Sequence, residues 1–335
     1  MKASTFDFEE ERLAKEIRKH KAKRVLIQLP EGLKPYAIRI AATLESIGAQ
    51  ALISADPCYG ACDLAVYDAQ ALQADLIIHY GHTEMTKQLA IPVVHLETRA
   101  RVDVKAAVKK AVPLLKPWNS IGLVTTVQHI HEIRKAKDVL LKERKRVSIG
   151  DAGQLKYAGQ VIGCDYSNAK AVADQVDAFL FVGGGKFHAV GVSLATSKPT
   201  IVADPYEKRA FDVKGETEKI RRQRMANVSE AKKAQNFGIL VGLKPGQMHL
   251  QRAIEIKDKL QNKEKNAIVF ALKEITPEAL MQFPKIDAYV NTACPRVVLE
   301  DAPRFIKPIL TTNEALVVIE EMDWEALCKK GWFEN

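Results

Sequence analysis

The chain has 335 residues, of which 47% are hydrophobic and 27% are charged, as in soluble globular proteins. This length exceeds what one ordinary hydrophobic core supports, so we expect two or three domains. No apolar stretch approaches the roughly 18 residues that indicate a membrane span, and the charged start lacks the apolar segment of a signal peptide. We therefore expect a cytoplasmic protein with no membrane partner.

The net charge of +9 permits an acidic partner or nucleic acid. The basic residues are dispersed, however, and the two basic clusters, residues 142–146 and 219–224, have the spacing of helix faces. No strand with interleaved basic and aromatic residues is visible, which argues against direct nucleic-acid binding. Five cysteines in a cytoplasmic chain favour metal binding, catalysis or simple burial over disulfide formation.

The apolar runs of the chain form three similar sets of four, each rich in β-branched residues. In chain order, the predicted strands cover residues 24–30, 51–56, 74–79 and 91–96, then 120–125, 159–163, 178–182 and 199–203, then 237–242, 267–271, 286–290 and 307–310. Helical periodicity fills most of the intervals, with helices predicted over 33–47, 63–72, 102–115, 127–144 and 208–235. This alternation is typical of parallel strands buried on both faces. The last helix is interpreted as a connector between sets two and three, with partner docking as the alternative.

Two residue types recur at the same place in each set. An aspartate accompanies the third run (Asp75, Asp177 and Asp287), and a proline introduces the fourth (Pro92, Pro199 and Pro308). We therefore predict an α/β fold of three similar domains, each a small four-stranded parallel sheet flanked by helices. The predicted boundaries are 1–115, 116–220 and 221–335.

Three widely separated cysteines, Cys58, Cys164 and Cys294, each follow a predicted strand. Because the carboxyl ends of strands in an open α/β sheet are where ligands bind, three such thiols could meet at one point. Three thiolates would hold an iron–sulfur cluster and leave one iron open for a substrate. The alternative is that each is a small buried hydrophobic residue, a common environment for free cysteine.

The sequence gives weaker support for a metal-ligand role of the remaining two cysteines. Cys62 lies four residues after Cys58, so it is a conceivable ligand of a C-x₃-C pair, although a packing role is favoured. Cys328 falls on a predicted amphipathic helix near the end of the chain, and we interpret it as structural.

Several polar or glycine-rich turns also follow predicted strands. Gly183, Gly184 and Gly185 lead into a helix, so their backbone N–H groups could bind a phosphate or carboxylate, or simply form a tight turn. Glu31 and Gly32 form a similar strand-to-helix turn. Further candidates at strand ends are Tyr59, His82, His188, Asp204 and Arg296, of which the arginine suits a carboxylate and the histidines suit either acid–base chemistry or a structural hydrogen bond.

Five segments in order along the whole chain resemble the archaeal diphthamide synthase family, the 2-(3-amino-3-carboxypropyl)histidine synthases. They are Gln28–Leu33, Asp56–Cys62, Gly163–Asp165, Phe181–His188 and Asn291–Arg296. The resemblance implies three similar α/β domains arranged as a triangle around a central cluster, and a homodimer. It also implies that Cys58, Cys164 and Cys294 bind a [4Fe–4S] cluster whose open iron binds S-adenosylmethionine.

The resemblance further implies a transferase that acts by a radical mechanism. Such an enzyme moves the 3-amino-3-carboxypropyl group of S-adenosylmethionine to a histidine of translation elongation factor 2, the first step of diphthamide biosynthesis, and releases methylthioadenosine. An electron donor that the sequence does not identify would reduce the cluster. The expected cofactor contacts, inferred from strand-end position, are Glu31, Gly32, Tyr59, Gly183, Gly184, Gly185, His188, Asp204 and Arg296.

Two other functions remain open on the residues alone. The first is a [4Fe–4S] hydro-lyase of the quinolinate synthase type, although the segments 183–188 and 291–296 do not resemble that class. The second is a non-catalytic metal or redox sensor in which three thiolates bind zinc or a labile cluster.

Overall fold

The computed structural model describes residues 5–85 and 89–333, so the first four residues of the charged start lie outside it. The contacts divide the chain into two compact units. The first unit comprises the described residues of Met1–Asp103 with Thr126–Glu132 and Lys244–Gly246, and the second those of Val104–Thr125, Ile133–Leu243 and Gln247–Asn335. The three predicted domain boundaries stay a prediction; the one at residue 220 falls within a helix.

The first unit contains a parallel sheet of four strands in the order β2-β1-β3-β4. The strands are β1 (Arg24–Gln28), β2 (Gln50–Ser54), β3 (Leu76–Tyr80) and β4 (Val93–Leu96), and the helices are α1 (Glu10–His20), α2 (Ala37–Ser46) and α3 (Val66–Ala71). Two 3₁₀ segments, Glu31–Tyr36 and Val127–Glu132, complete it. Val25 and Ile27 pack on one face of the sheet and Leu26 on the other, because side chains alternate along a strand. Both faces are therefore buried, as the apolar runs predict.

The second unit contains two sheets. One has five strands in the order β6-β5-β7-β8-β9, and the other has four in the order β11-β10-β12-β13. The strands of the first are β5 (Ser120–Thr125), β6 (Arg146–Ser148), β7 (Ala178–Val182), β8 (Thr200–Asp204) and β9 (Arg209–Asp212). Those of the second are β10 (Asn236–Gly242), β11 (Asn266–Leu272), β12 (Ala288–Asn291) and β13 (Ile309–Thr311). All pairs are parallel except β8 with β9.

Ten α-helices and two 3₁₀ segments, Ala173–Gln175 and Ala302–Arg304, flank these sheets within the described part of the second unit. The α-helices are α4 (Lys105–Ala111), α5 (Ile133–Lys142), α6 (Ser167–Lys170), α7 (Phe187–Thr196), α8 (Lys214–Ala231), α9 (Leu250–Asn262), α10 (Pro277–Met281), α11 (Pro295–Leu299), α12 (Thr312–Val318) and α13 (Trp324–Lys330). One continuous apolar core joins the two sheets, with Phe179 and Phe181 of β7 packed in the same cluster as Phe237 and Ile239 of β10. No helix among the described residues is both long and apolar enough to cross a membrane.

The predicted α/β class with parallel sheets is confirmed, but two predicted elements are wrong. Residues 159–163 do not form the second strand of their set: Gly159 has a φ of 75°, which interrupts extended backbone, and Gln160 makes only an isolated bridge to Thr125. Arg146–Ser148 takes that place beside β5. The predicted helix over 208–235 begins only at Lys214, since Arg209–Asp212 forms the antiparallel edge strand β9.

The recurring aspartates make the same contact in all three sheets. The side chain of each lies at the start of the third strand of its set and accepts two backbone N–H groups at the start of the first strand. Asp75 Oδ2 accepts from the N–H groups of Lys23 and Arg24, both at 2.8 Å. Asp177 Oδ2 accepts from Asn119 at 3.1 Å and Ser120 at 2.8 Å. Asp287 Oδ2 accepts from Gln235 at 3.1 Å and Asn236 at 2.8 Å. A shared sequence signal thus has a shared structural cause, which supports triplication.

The recurring prolines also have one role. The carbonyl oxygens of Pro92, Pro199 and Pro308 accept the first N–H of the third strand's ladder, from Ile77 (3.0 Å), Phe179 (2.8 Å) and Tyr289 (2.8 Å). Because proline has no N–H group of its own, the fourth strand begins there without leaving a donor unpaired.

Replacing Asp287 with alanine should destabilise the protein by about 1 kcal/mol near neutral pH. This is less than the roughly 1.5 to 3 kcal/mol typical of hydrogen bonds to a charged group, because solvent screens this site. The backbone N–H of Asn236 holds the pKa of Asp287 below its usual value. A lowered folded-state pKa stabilises the fold above the unfolded pKa, and this contribution is lost as pH falls through the folded pKa. The gap between wild type and variant should therefore be constant from pH 7 to about 4 and narrow below it. Urea denaturation at several pH values measures the loss of stability and its dependence on pH. Asp258→Ala, at an exposed position of α9, is the control and should lower the free energy of unfolding by less than about 0.5 kcal/mol.

Candidate functional site

The three predicted ligand cysteines lie in the two units. Cys58 belongs to the first unit, in the loop after β2, whereas Cys164 and Cys294 belong to the second. Cys294 lies three residues after the end of β12 and immediately before α11, as predicted. Cys164 follows a loop rather than a strand. None of the five cysteines, all of which lie among the described residues, forms a disulfide. The meeting of Cys58 with the other two stays a prediction.

Cys58 is a buried thiol beside a charged pair. Burial and the carboxylate of Asp63 raise the pKa of Cys58 to about 12, so the thiol is neutral at physiological pH. Asp63 Oδ2 and Lys244 Nζ form an ion pair at 2.9 Å, and the Lys244 ammonium also lies 4.4 Å from the centre of the Tyr59 ring. Tyr59 itself is half exposed, with its backbone N–H 3.4 Å from Asp63 Oδ2. The loop therefore presents a buried sulfur next to a half-exposed aromatic ring and a cation.

Two further contacts fix the Cys58 loop. Lys34 donates from Nζ to the carbonyl oxygens of Ala55 and Asp56, both at 2.9 Å, and pairs with Glu31 at 2.8 Å. The turn predicted around Glu31 and Gly32 is thus tied to the Cys58 loop. At the other end, a side chain at Gly246 would lie 2.5 Å from the Cα atom of Cys62, so this close approach requires glycine.

A buried chain of polar side chains lies close to Cys58. One ligand atom each of Cys58, His79 and His82 lie within 4.8 Å of one another. His79 Nε2 is 2.9 Å from His82 Nδ1, and His79 Nδ1 is 2.9 Å from Gln28 Oε1. Burial holds the pKa of His79 well below its ordinary value and lowers that of His82 to about 4, so both rings are neutral at pH 7.

In the second unit, Phe187 joins the surroundings of Cys164 and Cys294. A side chain at Gly163 would come within 2.8 Å of the Phe187 ring, so the residue before Cys164 packs directly on that ring. Arg296, two residues after Cys294, places its guanidinium 5.0 Å from the centre of the same ring and pairs through Nε with Glu300. His188 stacks on Phe181 with ring centres 5.7 Å apart. The loops of Cys164 and Cys294 are therefore neighbours in this unit.

A tyrosine hydroxyl buried between the same loops has no hydrogen-bond partner among the described atoms. Tyr166 is fully buried, and burial together with the nearby Cys164, Glu300 and Cys294 raises its pKa well above the ordinary value. The phenol therefore keeps its proton. A side chain at Gly191 would lie 1.9 Å from this hydroxyl, so glycine on α7 makes room for it.

The triple glycine forms a turn that Asp204 holds. Gly185 has a φ of 72° and donates its N–H to Asp204 Oδ2 at 3.1 Å, while Gly183 donates to the carbonyl oxygen of Ala203. Asp204 Oδ1 also accepts from the backbone N–H groups of Tyr206 and Glu207. Two of the three N–H groups predicted to bind an anion are thus already bonded within the chain. Asp204 shapes the loop.

The sequence analysis assigns no role at the site to His79, Gln28, Lys34 or Lys244. His79 and Gln28 had a visible signal, because each is a polar residue in an otherwise apolar strand whose burial demands a partner. Lys34 and Lys244 have no such sequence signal. Each contacts residues distant in the chain, and a lysine near a strand end is too common to mark a site.

The sequence model of the diphthamide synthesis protein family matches residues 29–328. This chain belongs to the diphthamide synthesis family. It is 36% identical over 320 residues to the 2-(3-amino-3-carboxypropyl)histidine synthase of Pyrococcus horikoshii, with 94% of this chain and 92% of the relative covered. Subunit 1 of the corresponding synthase of Kluyveromyces lactis is 30% identical over 323 residues, with 95% and 76% covered.

The fold is similar to a solved member of the same family. The crystal structure of Dph2 from Pyrococcus horikoshii with a 4Fe–4S cluster superposes with a TM-score of 0.89 at 34% identity, covering 98% of this chain and 94% of that one. Membership of the family confirms the resemblance seen in the five segments. The names of the relatives confirm the predicted enzyme class, a 3-amino-3-carboxypropyl transferase.

Proposed function

We propose that this chain transfers the 3-amino-3-carboxypropyl group of S-adenosylmethionine to a histidine of translation elongation factor 2, the first step of diphthamide biosynthesis. The observation that carries the proposal is the relationship to the Pyrococcus horikoshii synthase over nearly the whole of both chains. The match to a family structure with a 4Fe–4S cluster supports the same cofactor here.

The residues suit a [4Fe–4S] cluster held by Cys58, Cys164 and Cys294. None of the three is in a disulfide, and thiolates are the protein ligands that such clusters use. The buried Cys58 thiol is neutral, with its pKa raised to about 12 by burial, so it becomes a thiolate only beside a strong positive charge such as iron. In the second unit, the packing of Phe187 relates the loops of Cys164 and Cys294.

When bound, the reduced cluster supplies an electron to the sulfonium of S-adenosylmethionine, which yields methylthioadenosine and a 3-amino-3-carboxypropyl radical. The chain's own residues position the reactants. We assign Arg296, held against Phe187, to the carboxylate of the cofactor, and the half-exposed Tyr59 ring to its adenosyl end. Glu31 and Gly32 lie on the turn tied by Lys34 to the Cys58 loop, where a carboxylate suits an ammonium group.

The remaining predicted contacts line the other turn. Gly183, Gly184 and Gly185 leave a stretch of backbone without side chains, with Gly184 beside Tyr206, and Asp204 fixes the shape of this turn. His188 lies next to Phe187 at the start of α7. We assign these residues to shaping the cofactor cavity.

The proposed setting is that of a cytoplasmic homodimer whose protein substrate is elongation factor 2 and whose electron donor the sequence leaves unnamed. Family membership supports this setting over a quinolinate synthase-type hydro-lyase and over a metal or redox sensor.

An anaerobic transfer assay tests the proposal. The cluster-loaded protein, reduced with dithionite, is mixed with purified elongation factor 2 and S-adenosylmethionine labelled in the carboxyl carbon. Label should enter elongation factor 2 and be absent from a variant that lacks the acceptor histidine. Equal labelling of both substrates, or none by protein with a full complement of iron, would contradict the proposal.

A further inference from the structure

The histidine chain beside Cys58 offers a second set of metal ligands, which shares only Cys58 with the three-cysteine set. Cys58 and His79 are buried and His82 is half-buried, and one ligand atom of each lies within 4.8 Å of the others. His79 lies near the end of β3. His82 is three residues further on, after a bend at Gly81, which has a φ of 83°. The two histidines are not among the residues proposed to hold the iron–sulfur cluster.

The hydrogen bonds of Gln28 fix the protonation of these rings. Gln28 Nε2 donates to the carbonyl oxygen of Asp63 at 2.6 Å, so its Oε1 is the atom that accepts from the N–H of Ala65 and faces His79 Nδ1. His79 Nδ1 therefore carries a proton, and its Nε2 directs a lone pair towards His82. A histidine held in this way, by a partner on the other ring nitrogen, is the usual arrangement of a metal ligand.

We propose that Cys58, His79 and His82 bind one Zn²⁺ ion when the iron–sulfur cluster is absent, with water in the fourth position. One thiolate and two imidazoles form a borderline donor set that suits zinc, and three protein ligands plus water is a common zinc arrangement. Zinc bond lengths of about 2.0 to 2.3 Å place ligands about 3.3 to 3.6 Å apart in a tetrahedron. Movements of about an ångström would therefore close the site.

Binding rearranges two protons and leaves the oxidation states unchanged. The Cys58 thiol loses its proton to solvent and becomes the thiolate ligand. The proton that His82 Nδ1 shares with His79 moves to His82 Nε2, so that both facing nitrogens can bind the metal. Because Cys58 belongs to both ligand sets, zinc and the cluster exclude each other. This last consequence rests on the proposed function, whereas zinc binding itself does not.

Zinc titration of the cluster-free, full-length chain in competition with a chromophoric chelator tests the site. Wild type should retain one equivalent, and Co²⁺ in its place should give the visible absorption of a tetrahedral site with a thiolate ligand. His82→Ala should weaken zinc binding by about 100-fold or more, since even residues outside the ligand set typically contribute 10- to 100-fold. His20→Ala, at an exposed position at the end of α1, is the control and should bind as wild type does.

Iron content separates this inference from the proposed function. After anaerobic reconstitution, His82→Ala should take up as much iron as wild type, and one equivalent of zinc added beforehand should lower iron uptake in wild type but not in the variant. Stoichiometric zinc binding that survives His82→Ala, or an octahedral Co²⁺ spectrum in wild type, would overturn the zinc site and leave the cluster proposal intact. Wild type that binds zinc but never assembles a cluster would overturn the proposed function alone.

Discussion

Replacing Cys58, Cys164 or Cys294 singly with alanine should leave the anaerobically reconstituted protein without a stable cluster and without transfer activity. Wild type should bind about four irons and four sulfides per chain, and each variant less than about half of this, because a cluster with only two protein thiolates is readily lost. Transfer should fall by more than about 100-fold, since a cluster without its third thiolate is not kept intact to bind and reduce the cofactor. Iron and sulfide analysis and the electron paramagnetic resonance signal of the reduced protein measure the loss.

The other two cysteines are built-in controls. Cys62 lies only four residues from Cys58, and Cys328 lies on α13. Cys62→Ala and Cys328→Ala should keep the iron content of wild type. A Cys164→Ala variant with a full cluster, or a Cys62→Ala variant without one, would show that the ligand set is wrong.

Replacing Glu314 with glutamine should destabilise the second unit by about 3 to 5 kcal/mol, the usual cost of breaking a buried ion pair from one side. Arg224 of α8 and Glu314 of α12 are 1% and 0% exposed and form a two-pronged pair, with Nε to Oε1 at 2.8 Å and Nη2 to Oε2 at 2.7 Å. Arg224 also donates to the carbonyl oxygens of Val298 and Ile309. Trp332 Nε1 also donates to Glu314. A neutral amide at position 314 would leave the buried Arg224 guanidinium without its counter-charge.

Urea denaturation monitored by tryptophan fluorescence would measure this cost. Glu320→Gln, at an exposed position just after α12, is the matched control and should change stability by less than about 0.5 kcal/mol. The double variant Arg224→Met with Glu314→Leu should recover much of the loss, because removing both charges removes the uncompensated one. Equal destabilisation by the single and the double variants would contradict this account.

The architecture was predictable where sequence signals have a local cause. The aspartates accept backbone N–H groups between neighbouring strands, and the prolines begin the fourth strands, so both recur in the sequence as well as in the structure. Residues 159–163 were mistaken for a strand because their apolar pattern is right and only the positive φ of Gly159 breaks it. The edge strand β9, Arg-Ala-Phe-Asp, is not predicted, because only its two central residues are apolar and its charged ends are exposed.

The site was predictable only in part. The placement of Cys294 after β12 follows from the apolar run that precedes it. The contact of Arg296 with Phe187, and the relay from Gln28 through His79 to His82, depend on side-chain positions set by residues far apart in the chain. No spacing in the sequence encodes such contacts.

The nucleoside product of S-adenosylmethionine cleavage tests the central claim most directly. An anaerobic reaction of cluster-loaded, dithionite-reduced protein should be quenched and separated by chromatography, with oxidised protein as the control. Cleavage of the bond from sulfur to the methionine γ-carbon predicts methylthioadenosine as the main nucleoside, formed only after reduction. Deoxyadenosine as the main nucleoside, or no cleavage by fully loaded and reduced protein, would contradict the account.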